Sequence, residues 1–149
     1  MQYIEAPSED TPLHPTVFLA GGIMNCPNWQ AKIVDLLKDI DVTLYNPRRK
    51  NYPMDDPAAV EEQIAWEHDR LRSADVRLFW FADGSVQPIV LFELGAALER
   101  GGHIVIGVDP AYARKIDVGI QTHLQRTDAA IHTSLAAIAV VIGDMFNEE

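Results

Sequence analysis

Cysteine is almost absent from this 149-residue chain. Cys26 stands alone, so no internal disulfide can form, and the usage fits a reducing compartment; a cytoplasmic protein is expected. Positive charge is scarce as well. Twelve lysines and arginines face 22 aspartates and glutamates, a formal charge of −10 at pH 7. Nucleic-acid polymers and anionic membranes call for a basic face, so neither is an expected partner, while small neutral ligands stay open. No apolar run approaches the roughly 20 residues of a membrane-spanning helix. The opening Met1-Gln2-Tyr3-Ile4-Glu5-Ala6 has no basic stretch leading into an apolar one, so no signal peptide is read there. The histidines, His14, His68, His103, His123 and His132, lack metal-ligand spacing. Neither a metal nor a cofactor is expected.

What remains is an ordered alternation of elements. Residues 1–15 carry Pro7, Pro12 and Pro15 among Ser, Glu and Asp, which predicts an extended, flexible tail before a domain over 16–149. Strand patterns cover 16–20, 42–45, 76–81 and 103–108, with a last short piece near 129–132. Helical patterns cover 27–40, 58–73, 88–100, 112–125 and 134–146. The continuous apolar run over 76–81 suits a strand buried on both faces of a parallel sheet. Together these predict a single α/β domain, a Rossmann-like (flavodoxin-like) three-layer sandwich on a five-stranded, mainly parallel sheet.

In such sheets ligands bind beyond the carboxyl ends of the strands. Four segments should meet there: Gly21-Gly22-Ile23-Met24, Asn46-Pro47-Arg48-Arg49, residues 82–87, and the loop after Val108. Just beyond the third of these lies Pro88-Ile89-Val90-Leu91-Phe92-Glu93-Leu94-Gly95, one carboxylate in an apolar helix. Two readings compete for Glu93. It can belong to a thin solvated face with Arg100, or it can be a functional carboxylate held against its desolvation cost. Its place near a helix start predicts an ionised side chain. Glu67 is a second misfit: a core stripe through Val60 and Ile64 to Leu71 calls for an apolar residue at 67. It can snorkel to the rim, or it can form with Glu93 the carboxylate pair that cleaves a bond at an anomeric carbon.

Other signals are weaker. Gly21-Gly22 opens no dinucleotide or phosphate-loop motif, and Ser85 has no nucleophile-elbow context. Trp66, Trp80 and Phe79 read as core, whereas Phe18 and Trp29 near a pocket mouth can stack on a base. Met24 and Tyr45 would help to shape that pocket. Arg48-Arg49-Lys50 is the one basic cluster near the expected site and can neutralise a phosphate.

Phe18-Leu19-Ala20-Gly21-Gly22-Ile23, Asn46-Pro47-Arg48-Arg49, Trp66-Glu67, Ala74-Asp75, Phe79-Trp80-Phe81 and Pro88-Ile89 through Phe92-Glu93-Leu94-Gly95 occur in this order. The series resembles the nucleoside 2-deoxyribosyltransferase family over about residues 16–121. The resemblance implies exchange of bases on 2'-deoxyribonucleosides, with free nucleobases as second substrates. Glu93 would be the covalent nucleophile and Glu67 the sugar-binding acid, a position at which the family usually carries aspartate. Gly21, Gly22, Asn46, Arg48 and Gln87 would bind substrate, Gln87 standing near the base-contacting acid of better-known members. A tyrosine that steadies the nucleophile in several relatives has no hydroxyl counterpart, since the strand reads Val17-Phe18. Asp117 would complete the site of a neighbouring subunit, which implies a homo-oligomer with a shared site. Two alternatives accompany this expectation: a hydrolase of deoxynucleoside 5'-monophosphates, and a non-catalytic nucleoside- or nucleotide-sensing domain.

Overall fold

The computed structural model describes residues 1–147. Its elements run β1 (Gln2–Glu5), β2 (Thr16–Gly21), α1 (Trp29–Leu36), β3 (Thr43–Asn46), α2 (Pro57–Ser73), β4 (Val76–Phe81), α3 (Pro88–Arg100), β5 (His103–Val108), α4 (Lys115–Gln125), β6 (Ile131–His132) and α5 (Leu135–Asn147). The six strands form one sheet in the order β1-β3-β2-β4-β5-β6, every neighbouring pair parallel. The α/β three-layer sandwich is as expected, with one strand more than the five foreseen.

The additional strand corrects the expected tail. Gln2–Glu5 pairs with β3 in register Gln2 to Thr43 through Glu5 to Asn46. Ile4 and Ala6 are buried in the core beside it. The prolines at 7, 12 and 15 all fall after the strand, so they shape the return loop and leave the pairing untouched. Helix α1 is shorter than expected, ending at Leu36 and giving way to turns through Asp41. Asp39 and Asp41 would lie at the negative end of a longer helix, and the Lys38 ammonium there is turned to Asp35 at 3.6 Å.

Alternation along the buried strands divides the core in two. Val17, Leu19, Leu78, Trp80 and Val105 point to one face, where α1 and α5 bring Trp29, Ile33 and Ile138. Phe18, Ala20, Phe79, Phe81 and Ile106 point to the other, covered by Trp66 from α2, Leu94 and Leu98 from α3 and Val118 from α4. The chain leaves β2 through α1 toward β3, then crosses back through α2 to β4, so connections diverge on either side of β2. That divergence opens a crevice beyond the carboxyl ends of β2 and β4, the usual ligand position in such sheets. At the opposite end the Asp75 carboxylate accepts from the Thr16 amide at 2.8 Å and its hydroxyl at 2.9 Å, fixing β2 beside β4. Among the described residues no helix is long and apolar enough to cross a membrane.

Candidate active site

A cavity of about 450 Å³ fills the crevice, and both misfit carboxylates line it. Glu67 reaches it from α2 and Glu93 from α3, with Phe18, Ala20, Gly21 and Gly22 from the end of β2 forming the floor. Ile23, Met24, Val86 and Ile89 add apolar walls. None of the lining side chains is a lysine, arginine or histidine.

The helical phase assumed for Glu67 is wrong although its location is right. Val60 and Ile64 face solvent, and the buried face of α2 runs through Ala59, Gln63 and Trp66. Trp66 sets that phase: its ring packs against Phe18 and edge-on to Tyr45, and its indole N–H donates to the Ser8 carbonyl at 2.8 Å. Glu67 follows directly and turns into the cavity. The Gln63 amide donates to Glu67 Oε1 at 2.8 Å and to the Pro47 carbonyl at 2.7 Å, anchoring the carboxylate to the loop after β3. Gln63 was not foreseen. Its signal is the four-residue spacing to Glu67, which stacks the two side chains on one helix face.

Glu93 has no hydrogen-bond partner among the described residues of its own chain, and burial pushes its carboxyl up to about 7, helped by the nearby Glu67 charge. This overturns the expectation that the helix start keeps it ionised. Glu93 is the sixth residue of α3, beyond the first turn to which the helix field is confined. Desolvation therefore wins. Glu67 is raised for the same first reason, opposed by its bond from Gln63.

The remaining expected residues divide. Gly21 and Gly22 do line the cavity, and neither has room for a side chain: a Cβ on Gly21 would lie 2.3 Å from the Trp29 ring, and one on Gly22 2.3 Å from Cys26 Sγ. Gln87 also lines it, buried, with its amide engaged by backbone. Asn46 and Arg48 instead face a separate cavity of about 430 Å³ bounded by Tyr3, Glu5 and Lys50. Asn46 donates to the Tyr3 hydroxyl at 2.9 Å and accepts from the Arg48 amide at 2.9 Å. The Arg48 guanidinium donates to the Pro27 and Cys26 carbonyls at 2.8 and 3.1 Å and to Gln30 at 3.0 Å. It is a brace for the loop after β2, not a free cation. Arg49 lies over the Tyr52 ring, with Glu62 at 3.7 Å. Asp117 is exposed in the first turn of α4, 3.5 Å from Arg114, and does not line this cavity. Trp29 is buried on the α1 side of the sheet and donates to the Gly22 carbonyl at 3.1 Å, so no base can stack on it; Tyr45 is likewise core. Phe18 and Met24 meet the cavity as expected.

The family profile described as "Nucleoside 2-deoxyribosyltransferase like" matches residues 14–112, a span that contains β2 through β5 and both carboxylates. The chain belongs to this nucleoside 2-deoxyribosyltransferase-like family. No curated protein matches the sequence. The family span stops short of α4, so Asp117 lies outside it, whereas the Glu67–Glu93 cavity lies wholly within it.

Proposed function

We propose that the protein transfers 2-deoxyribose between nucleobases through a covalent deoxyribosyl ester on Glu93. The carrying observation is that two desolvated carboxylates share one apolar cavity without a cation in its wall. A neutral nucleoside suits such a wall, and a 5'-phosphate does not, because nothing there offsets its charge. Ionised Glu93 attacks C1' of the sugar. The C1'–N bond breaks with its electron pair moving to the base, which takes up a proton and leaves. A nitrogen of the second base then attacks C1' from the vacated face, loses its proton and releases Glu93. Two inversions give net retention. Glu67, oriented by Gln63, holds the sugar hydroxyls. A nucleophile close beneath C1' and C2' leaves little room for a 2'-hydroxyl, which favours deoxyribonucleosides.

Glu93 lacks a partner among the described residues of its own chain, and a neighbouring subunit is the proposed source of cover. The exposed faces support this reading. Ile89 and Phe92 on α3, and Ile116, Ile120 and Leu124 on α4, all project into solvent. Gly95 and Gly119 lie on those same faces at positions where a Cβ would meet nothing within 4 Å. A helix-interior glycine costs about 1 kcal/mol against alanine, a cost that close approach of a second copy explains. Asp117 is proposed to reach the neighbour's site from this surface.

The test is to incubate the protein with deoxythymidine and adenine, and separately with deoxythymidine 5'-monophosphate. Formation of deoxyadenosine is expected. Base release from the monophosphate alone would replace the transferase by a nucleotide hydrolase, and binding without turnover would point to a sensor.

A further inference from the structure

We propose that Gln87 is a positioning residue that ties three backbone segments around the cavity, leaving the base to be selected by shape. This rests on the reading of the cavity as a deoxyribosyl-transfer site. Gln87 stands where the base-contacting side chain was expected, but its amide faces the protein. Its oxygen accepts from the Gly22 N–H at 3.0 Å. Its nitrogen donates to the Ala82 carbonyl at 2.7 Å and the Ser85 carbonyl at 3.2 Å, so both amide hydrogens are occupied. The side chain thus joins the loop after β2 to both ends of the loop after β4.

The backbone reinforces this role. Gln87 sits in the left-handed region, at φ 58° and ψ 59°, a conformation that a long side chain holds only when its surroundings impose it. It is the cap residue of α3, and Glu93 lies six residues further along the same rigid helix. The Tyr112 hydroxyl donates to the adjacent Val86 carbonyl and pins the turn from the α4 side. Only glycine fits at 22 in this arrangement, since a Cβ there would lie 2.7 Å from the Gln87 carboxamide. Any shift of Gln87 therefore moves the floor glycine and the start of the Glu93 helix together.

With Gln87 occupied, the walls left to meet a base are mainly the apolar Ile23, Met24, Val86 and Ile89, beside the polar Asn25 and a Ser85 whose hydroxyl lies 3.3 Å from Cys26 Sγ. Such walls discriminate mainly by size and flatness. The site is therefore expected to accept purines and pyrimidines of compatible size with similar efficiency.

The experiment compares wild type with Gln87→Glu and Gln87→Gly, using adenine and cytosine as acceptors across a range of pH. A glutamate carboxylate cannot donate to the Ala82 and Ser85 carbonyls. Transfer by Gln87→Glu at pH 7.5 is expected to fall about 10- to 100-fold for both bases, as small displacements of catalytic groups do. The ratio between the bases should change by less than about 3-fold, within the range that a remodelled apolar wall allows. Protonation restores one donor, so Gln87→Glu should recover relative to wild type as pH falls. Gln87→Gly, which takes the left-handed backbone without strain, should lose activity without that recovery. A ratio shifted by about tenfold or more, with transfer to the other base intact, would identify a base-reading side chain and overturn the proposal. Amide exchange at Gly22 gives a readout independent of turnover. It should accelerate in both variants while β4 and β5 stay protected, and unchanged exchange would overturn the tie. If wild type shows no transfer at all, the proposed function fails, and the Gly22 result still decides the role of Gln87.

Discussion

At the scale of single residues, the site is a contest between desolvation and charge. Burial drives the Glu93 carboxyl up to about 7, well above the 4.5 of a free glutamate. A nucleophile must be ionised, so kcat/KM should rise with pH through about 7, as a pH–rate profile would record. Glu67→Gln removes the neighbouring charge and should move that limb to lower pH while reducing overall activity. A limb that stays in place would show that Glu67 exerts no field on Glu93. Stability runs the other way. The folded state holds the Glu93 proton more tightly than the unfolded chain, so stability falls as pH rises from about 4.5 toward 7. Glu93→Gln should therefore stabilise the fold at neutral pH, by about 1–3 kcal/mol in denaturant titration, while abolishing transfer. The sequence made Glu93 conspicuous because a lone charge in an apolar helix stands out. That the sixth helical position lies beyond the helix field was legible; the burial that raises its carboxyl was not, since it depends on α2, which comes from elsewhere in the chain.

At the scale of elements, loops that sequence reasoning offered to the substrate are braced against each other. Asn46 and Arg48 sit at the end of β3, where a ligand was expected, yet their polar groups hold Tyr3, Gln30 and the carbonyls of Cys26 and Pro27. A motif shows which residues cluster but not which way an amide or guanidinium points. Arg48→Met should cost about 2 kcal/mol by denaturant titration and raise KM for the nucleoside, because the loop that carries Ile23 and Met24 loses its anchor. An effect confined to 5'-phosphorylated substrates would restore the phosphate-binding reading. Strands β4 and β5 were legible to the residue because apolar runs between turn signals leave little choice. Strand β1 was hidden by the prolines that follow it, and the phase of α2 by Val60 and Ile64, whose exposure no single-chain periodicity reveals.

At the scale of the whole molecule, α3 and α4 expose apolar faces. On a chain of net charge −10, Phe92 and Leu124 are more than three-quarters exposed, the apolar surface that the proposed contact with a second copy would cover. Phe92→Asp and Ile120→Asp should yield monomers by sedimentation and lose transfer, although neither residue lines the cavity. If Asp117 serves the neighbouring site, mixing Glu93→Ala with Asp117→Ala protein should restore about a quarter of wild-type activity in a randomly reassociated dimer, since half of the dimers then hold one intact site. No restoration on mixing would place Asp117 outside the shared site.

The central claim is that Glu93 becomes covalently bonded to the sugar. The most direct measurement is mass spectrometry of the protein incubated with a 2'-deoxynucleoside in the absence of acceptor base, followed by peptide mapping. The account predicts one added deoxyribosyl group, located on Glu93, discharged by adenine as deoxyadenosine and absent from Glu93→Gln. Turnover by Glu93→Gln at the wild-type rate, or an adduct on another residue, would contradict it.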